Sequence, residues 1–238
     1  MKIDILAIGV HPDDIELSCA GTILKHIAQG KIVGILDLTI GELGSRGSGE
    51  LRLVEADNAG KVLGIKFREN IGLADGFFEN NKESQLEIIK IIRKYQPEVV
   101  LANATADRHP DHGRASKLIS DACFYSGLLR IETELNGTKQ THWRPKAVYH
   151  YIQDRLIKPD FVVDVTEFVD TKFEAILCFK SQFHDPDSKE PATPISGEKF
   201  LDTIKARMLQ FGREIGVDYA EGFTAERYVG VEDIMKLK

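Results

Sequence analysis

The chain alternates between short continuous apolar runs and longer segments in which apolar residues recur every three or four positions. Continuous runs bounded by glycine, proline or polar residues predict strands buried on both faces. These runs lie at 3–10, 32–39, 67–71, 98–104, 147–152, 161–165 and 227–231. The helical period predicts helices at 15–27, 51–63, 84–95, 113–126, 167–183 and 198–215.

This alternation is typical of the α/β class, with a doubly wound, mainly parallel, Rossmann-like sheet that carries helices on both faces. In such folds, ligands bind at the carboxyl ends of the strands. A length of 238 residues suits one hydrophobic core, so we expect a single domain over residues 1–238. The polar, proline-containing stretch at 184–197 is expected to form a surface loop or a lid.

The composition of the chain argues against nucleic-acid and membrane partners. The formal net charge is -6, and a phosphate-coated partner requires a basic face, so we expect no nucleic-acid binding. The three cysteines lie in apolar stretches and indicate buried thiols rather than a disulfide framework. No apolar run approaches the roughly 18 residues of a bilayer span, so we expect a cytoplasmic protein without a membrane partner.

Two polar turns follow predicted strands and share one pattern. HPDD at 11–14 comes after the first strand, and HPDH at 109–112 comes after the strand at 98–104. Because the carboxyl ends of parallel strands meet at one edge of the sheet, we expect the two turns to converge on a single crevice.

The two turns together offer three imidazoles and three carboxylates. A catalytic zinc ion takes three protein ligands and leaves one position open for water. The spacing of His11 and Asp14 lets both side chains reach one point, and His112 completes a set of two histidines and one carboxylate. Each residue alone is more simply a helix cap or a turn residue. The repetition of the pattern favours a metal site with spare groups for acid–base catalysis.

Three motifs carry a resemblance to a known family. HPDDIE after the first strand, TIGELGSRG at 39–47 and RHPDHGRA after the later strand resemble the LmbE-like (PIG-L) zinc N-deacetylases. The segments ADRHPDHGRAS, WRPKAVYHYIQ and GVDYAEGFTAERY are similar to the members that act on N-acetylglucosaminyl malate in bacillithiol biosynthesis. The resemblance therefore implies hydrolysis of the N-acetyl group of a small glucosaminyl conjugate, N-acetyl-α-D-glucosaminyl L-malate above all.

The resemblance also implies residue roles. Asp13 would be the general base, and His109, assisted by Asp111, the complementary acid. Because a neighbouring carboxylate favours the charged form of an imidazole, we expect His109 to be held as imidazolium. One zinc ion per chain would be held by His11, Asp14 and His112.

Four further residues are candidates for binding the substrate. Arg52 matches the family arginine that contacts substrate, and Asp75 matches a carboxylate suited to sugar hydroxyls. Arg108 and Arg46 could grip a carboxylate such as that of malate, since a guanidinium matches it in a bidentate fork. Relatives assemble into oligomers, often hexamers, so we expect a homo-oligomer.

Several alternatives stay open at this point. The substrate could be another N-acetylated sugar or small amide, and ferrous iron or cobalt could occupy the same ligands as zinc. A phosphoesterase with two metal ions also uses His/Asp clusters. A non-catalytic zinc site is less favoured, because structural sites are typically rich in cysteine. A nucleotide-binding protein is not favoured either, since no glycine-rich G-x-G-x-x-G motif follows the first strand.

Overall fold

The structure is a computed structural model that describes residues 1–183 and 186–237. Within these residues the strands are β1 (Ile5–Gly9), β2 (Val33–Asp37), β3 (Arg68–Asn70), β4 (Val99–Ala102), β5 (Glu134–Leu135), β6 (Thr138–Lys139), β7 (Ala147–Tyr151), β8 (Phe161–Asp164) and β9 (Ala220–Ala225). The helices are α1 (Asp14–Ala28), α2 (Gly49–Leu63), α3 (Lys82–Tyr95), α4 (Pro110–Ser126), α5 (Val169–Ile176) and α6 (Phe200–Glu214), with short 3-10 turns at Thr166–Phe168 and Ile234–Lys236.

Seven strands form one sheet in the order β3-β2-β1-β4-β7-β9-β8. The first five of these pair in parallel, whereas β9 runs antiparallel to both β7 and β8. The mainly parallel α/β sheet predicted from the alternating pattern is confirmed. Strands β5 and β6 form a separate small hairpin that the pattern did not predict.

Helices cover both faces of the sheet because successive side chains of its strands point in opposite directions. On one face, Leu6 and Ile8 of β1 belong to a core cluster with α3 and α4. On the other face, Ile5 and Ala7 belong to a cluster with α1. Both faces of β1 are therefore buried, which explains why its sequence is continuously apolar.

Three predicted elements are corrected. The predicted last strand at 227–231 is not a strand, and β9 lies at Ala220–Ala225 instead. The predicted helix at 167–183 ends at Ile176. The predicted helix at 84–95 begins at Lys82, where the Asn81 side chain, rather than that of Ser84, caps the first turn. These differences fall at element ends and in the C-terminal third of the chain.

Two predictions concern membranes and disulfides. Among the residues that the structure describes, no helix is both long and apolar enough to cross a bilayer. The three cysteines are free thiols, and two of them, Cys19 and Cys123, are buried, whereas Cys178 is partly exposed.

The order of the strands places the two polar turns side by side. Strands β1 and β4 are neighbours and pair in parallel from Ile5 opposite Val99 onward. The turn at 11–14 leaves β1 and enters α1, while the turn at 109–112 follows β4 and enters α4. Both turns therefore lie at the same edge of the sheet, and the predicted convergence is confirmed.

Candidate metal centre and active site

Three side chains from the two turns come together at the carboxyl edge of β1 and β4. Ligand atoms of His11, Asp14 and His112 all lie within 4.8 Å of one another. The Oδ1 atom of Asp14 is 3.2 Å from Nε2 of His112, and its Oδ2 atom is 3.9 Å from Nδ1 of His11. Burial alone would raise the pKa of Asp14, but the two imidazoles hold it well below its usual range.

The Asp14 carboxylate is fixed by hydrogen bonds from several directions. Its Oδ2 atom accepts the backbone N–H groups of Val10 and His11 at 2.9 and 3.1 Å and the side-chain amide of Asn103 at 2.9 Å. Its Oδ1 atom accepts from the amide of Gln153 at 3.1 Å. Since Asn103 follows β4 and Gln153 follows β7, three neighbouring strands orient one potential metal ligand.

Each of the two histidines carries a second carboxylate on its other ring nitrogen. Nδ1 of His112 is 2.5 Å from Oδ2 of Asp107, and Nε2 of His11 is 2.9 Å from Oδ1 of Asp75. Such partners fix the tautomer and the ring orientation of a metal-binding histidine. Burial lowers the pKa of His112, but Asp14 and Asp107 together raise it to about 10.

The position of Asp75 differs from its predicted role. Its Oδ1 atom contacts His11, and its Oδ2 atom accepts the backbone N–H of Leu43 at 3.0 Å. Both carboxylate oxygens are therefore engaged, and Asp75 orients His11 instead of presenting free oxygens to sugar hydroxyls. The sequence pattern assigned no role to Asp107, although it lies in the same turn as His109.

A second group that could hold a metal ion overlaps the first. His11, His109 and Asp111 also bring ligand atoms within 4.8 Å of one another. In this group it is Nε2 of His11 that lies 3.9 Å from Asp111, and that nitrogen is already in contact with Asp75. The set of His11, Asp14 and His112 therefore fits one metal ion better. It supplies three protein ligands, and in each histidine a carboxylate contacts the ring nitrogen that would not bind the metal.

Asp13 lies beside this set in an unusual backbone conformation. Its φ angle is 136°, a region that non-glycine residues rarely adopt and that recurs at functional sites. Its buried carboxylate accepts a hydrogen bond from Nη2 of Arg52 at 3.0 Å. Burial raises the pKa of Asp13 to about 6, and the neighbouring guanidinium opposes this rise. A carboxylate with a raised pKa is suited to accept a proton near neutral pH.

Arg52 forms a hydrogen bond directly to the carboxylate of Asp13. Its Nη2 atom donates both to Asp13 and to the backbone carbonyl of Pro12 at 2.9 Å. The side chain also lines the cleft above the two turns. The arginine thus holds the HPDD turn in its strained conformation, and its predicted contact with substrate stays a prediction.

His109 is the residue before the first turn of α4, where its Nδ1 atom accepts the backbone N–H of Asp111 at 3.3 Å. Its ring centroid lies 4.9 Å from that of His11 and 5.3 Å from that of His112. Burial, together with the charges of these two histidines, lowers the pKa of His109.

The expectation of a His109 imidazolium held by Asp111 is therefore wrong. The two carboxylate oxygens of Asp111 accept from the backbone of Gly76 and from Arg114, each at 2.8 Å. The imidazole meets the backbone N–H of Asp111 instead of its carboxylate. With Nδ1 accepting, a neutral His109 carries its proton on Nε2.

These groups lie in a cleft of about 310 Å³. Its outer wall includes Pro194 and Ile195 from the loop before α6, and residues of α6 itself. Arg108 lies at the rim, where its Nε atom is 2.5 Å from Oδ2 of Asp154 in an ion pair that is partly exposed. In the stretch at 184–197, which was expected to form a surface loop or a lid, residues 184 and 185 lie outside the described residues.

Arg46 does not face the cleft as a free cation. Its guanidinium is buried and donates to the backbone carbonyls of Ser181, Phe183 and Pro191 and to the hydroxyl of Ser188. These contacts occupy its nitrogen atoms, so the predicted grip on a substrate carboxylate is wrong. Arg46 instead stabilises the polar loop before α6, which also contributes Pro194 and Ile195 to the wall of the cleft.

The sequence from residue 6 to 123 matches the family described as PIG-L, GlcNAc-PI de-N-acetylase. A diacetylchitobiose deacetylase of Thermococcus kodakarensis is 30% identical over 230 residues, covering 92% of this chain and 81% of that protein. The chain belongs to the PIG-L family of deacetylases. The resemblance of its three motifs to that family is confirmed.

Other PIG-L relatives differ in what their names say they do. A probable N-acetyl-α-D-glucosaminyl L-malate deacetylase of Bacillus anthracis is 26% identical and covers 75% of this chain and 81% of its own length. A 4-oxalmesaconate hydratase of Pseudomonas putida is 25% identical, with coverages of 75% and 74%. Family membership therefore does not by itself fix the substrate.

Among solved structures, a conserved protein of Thermus thermophilus superimposes with a TM-score of 0.85 at 35% identity, covering 97% of this chain and 98% of that one. The fold is thus shared over nearly the full length of both chains. This likeness confirms the fold class predicted from the sequence.

Proposed function

We propose that this protein is a zinc-dependent hydrolase that removes the N-acetyl group from a small glucosaminyl conjugate, with N-acetyl-α-D-glucosaminyl L-malate as the expected substrate. The observation that carries the proposal is the set of His11, Asp14 and His112 at the floor of a cleft that Asp13 and His109 also line. Metal ligands, a base and a proton donor are the parts that amide hydrolysis requires.

The donor set suits zinc. Two imidazoles and one carboxylate are typical ligands of catalytic zinc, which keeps a further position open. When bound, zinc would act as a Lewis acid that polarises the acetyl carbonyl and favours the ionisation of water. Asp75 and Asp107 would orient the two histidines through their other nitrogen atoms.

Asp13 is proposed as the general base. Its carboxylate lies at the cleft floor next to Asp14, and Arg52 holds one of its oxygens. With a pKa raised to about 6 by burial, the carboxylate is mostly ionised at neutral pH and is still basic enough to take the proton of the attacking water.

His109, which lines the same cleft, is proposed as the hydrogen-bond donor to the acetyl oxygen. Its Nδ1 atom is engaged by the backbone of Asp111, so its Nε2–H faces the other way. A neutral imidazole in this state can donate to the oxygen that becomes negative as the carbonyl is attacked. His109 keeps this proton, and the proton that Asp13 has taken from the attacking water passes to the departing amine.

The two-metal phosphoesterase alternative has less support. In the part of the chain that the structure describes, the two groups able to hold an ion share His11. A second ion would have to bind through Nε2 of His11, the nitrogen that already contacts Asp75. One metal ion per chain is therefore the proposal.

We also propose a homo-oligomer. The segment after β9 exposes several apolar side chains, with Tyr228 fully exposed and Ile234 and Met235 exposed to 77% and 85%. Burial of such residues against another copy would remove apolar surface from water. Light scattering after gel filtration gives the mass of the particle directly.

A direct experiment tests the proposed activity. Metal-depleted protein is reconstituted with zinc and incubated separately with N-acetylglucosaminyl L-malate, N,N'-diacetylchitobiose and p-nitrophenyl phosphate. We expect zinc-dependent acetate release from the sugar conjugates, fastest from the malate conjugate, and no phosphate release. Phosphate release without acetate release would overturn the proposal.

A further inference from the structure

One face of α6 forms part of the outer wall of the cleft. Phe200, Ile204 and Arg207 line the cleft together, and their spacing of four and three places them on the same side of the helix. Ile204 is 2% exposed, so this side of α6 is anchored in the core. Arg207 is thus a cation carried into the cleft by a fixed helix.

The guanidinium of Arg207 keeps most of its hydrogen-bonding capacity. Its Nη1 atom donates to the backbone carbonyl of Asp154 at 3.1 Å. Among the residues that the structure describes, its Nε and Nη2 atoms have no hydrogen-bond partner. Burial lowers the pKa of Arg207, and Asp154, Asp107 and Glu221 counteract this only in part.

Among the described residues, no ion pair balances the charge of Arg207 in this wall of the cleft. The side chain of Asp154 pairs with Arg108, whereas Arg207 meets only the backbone oxygen of Asp154. The Asp154 carboxylate therefore forms its ion pair with Arg108 and not with Arg207. An anion placed beside Arg207 would gain charge-assisted hydrogen bonds and would balance a partly desolvated cation.

We propose that Arg207 marks a subsite for an acidic group on the aglycone of the substrate, and that it selects anionic glucosaminyl conjugates over neutral ones. The inference rests on the proposed deacetylase function, because the aglycone is defined by the sugar whose acetyl group lies at the metal. Arg207 would take the carboxylate-binding role that the sequence suggested for Arg46, while the predicted role of Arg108 stays a prediction. Phe200 and Ile204 supply the apolar contact that the carbon chain of such an aglycone requires.

The test compares two substrates and four proteins. Zinc-loaded wild type, Arg207→Gln, Arg207→Lys and Arg213→Gln are assayed with N-acetylglucosaminyl L-malate and with neutral N,N'-diacetylchitobiose. Arg213 is the matched control because it is an exposed arginine on the same helix that does not line the cleft. Binding of the product, glucosaminyl L-malate, is measured by calorimetry with the same proteins.

We expect Arg207→Gln to lower the ratio of kcat/KM for the malate substrate to that for diacetylchitobiose by roughly 10–100-fold, mainly through KM. Product binding should weaken by a similar factor, Arg207→Lys should recover part of the loss, and Arg213→Gln should leave the ratio within twofold. An unchanged ratio together with unchanged product binding would overturn the inference. If wild type releases acetate from neither substrate, the proposed function fails, and product binding still decides the role of Arg207.

Discussion

Nδ1 of His112 lies 2.5 Å from Oδ2 of Asp107, while Nε2 of the same ring lies 3.2 Å from Oδ1 of Asp14. The first contact fixes which nitrogen carries the proton, and the second directs the remaining nitrogen toward the proposed metal position. His11 shows the same arrangement with Asp75. Each of the two histidines in the proposed ligand set is thus oriented by a carboxylate from outside that set.

Replacement of Asp107 tests this orientation. We expect Asp107→Asn to lower the affinity for zinc by roughly 10–100-fold, because an amide holds the His112 ring more weakly than a carboxylate. Competition with a chromophoric chelator measures the dissociation constant. Asp121→Asn, on the helix α4 that follows Asp107, is the control, since Asp121 pairs with Lys117 and does not line the cleft. Equal affinities of the two variants would contradict the role of Asp107.

Replacement of Asp75 separates the predicted role from the observed one. A residue that binds sugar hydroxyls would affect mainly KM, whereas a residue that orients His11 would affect the retention of the metal. We therefore expect Asp75→Asn to lose zinc more readily than wild type during dialysis against a chelator. Metal content by mass spectrometry, measured alongside KM, decides. A raised KM at full metal content would restore the sequence-based assignment.

Asp13→Asn removes the proposed base with little change of shape. Asparagine has nearly the same shape as aspartate, so we expect the turn at φ 136° to be kept. We expect kcat to fall by roughly 10²–10⁴-fold with zinc retained. Steady-state kinetics and metal analysis on the same preparation measure both quantities. A variant with near-normal turnover would remove Asp13 from the mechanism.

Arg46→Gln distinguishes a structural arginine from a substrate-binding one. The side chain donates to three backbone carbonyls and one hydroxyl, and its loss leaves buried acceptors without partners. We expect the free energy of unfolding to fall by about 2 kcal/mol, measured by urea titration. Arg130→Gln, at an exposed position, is the control. Unchanged stability with a selective loss of activity on the malate conjugate would favour the role predicted from the sequence.

The last strand, β9, lies at a position that the apolar pattern did not predict. The apolar alternation in RYVGV at 227–231 predicted a strand, yet Tyr228, Val229 and Val231 are exposed. Strand β9 contains Glu221 and Gly222, which no hydrophobic pattern selects. Glu221 is buried there because it pairs with Lys172 at 2.6 Å. Gly222 is required by the Phe211 ring, which would lie 2.8 Å from an added Cβ.

The sequence by itself determined the parallel core and the convergence of the two HP-containing turns. Strands buried on both faces must be continuously apolar, and parallel strands must end at one edge, so these features follow from local pattern and chain geometry. The tertiary structure alone decided which groups face each other across the site. Asp75 meets His11, Arg46 meets the loop at 181–191, and Arg207 enters the cleft, since each contact joins segments that only the packing of the sheet and its helices brings together.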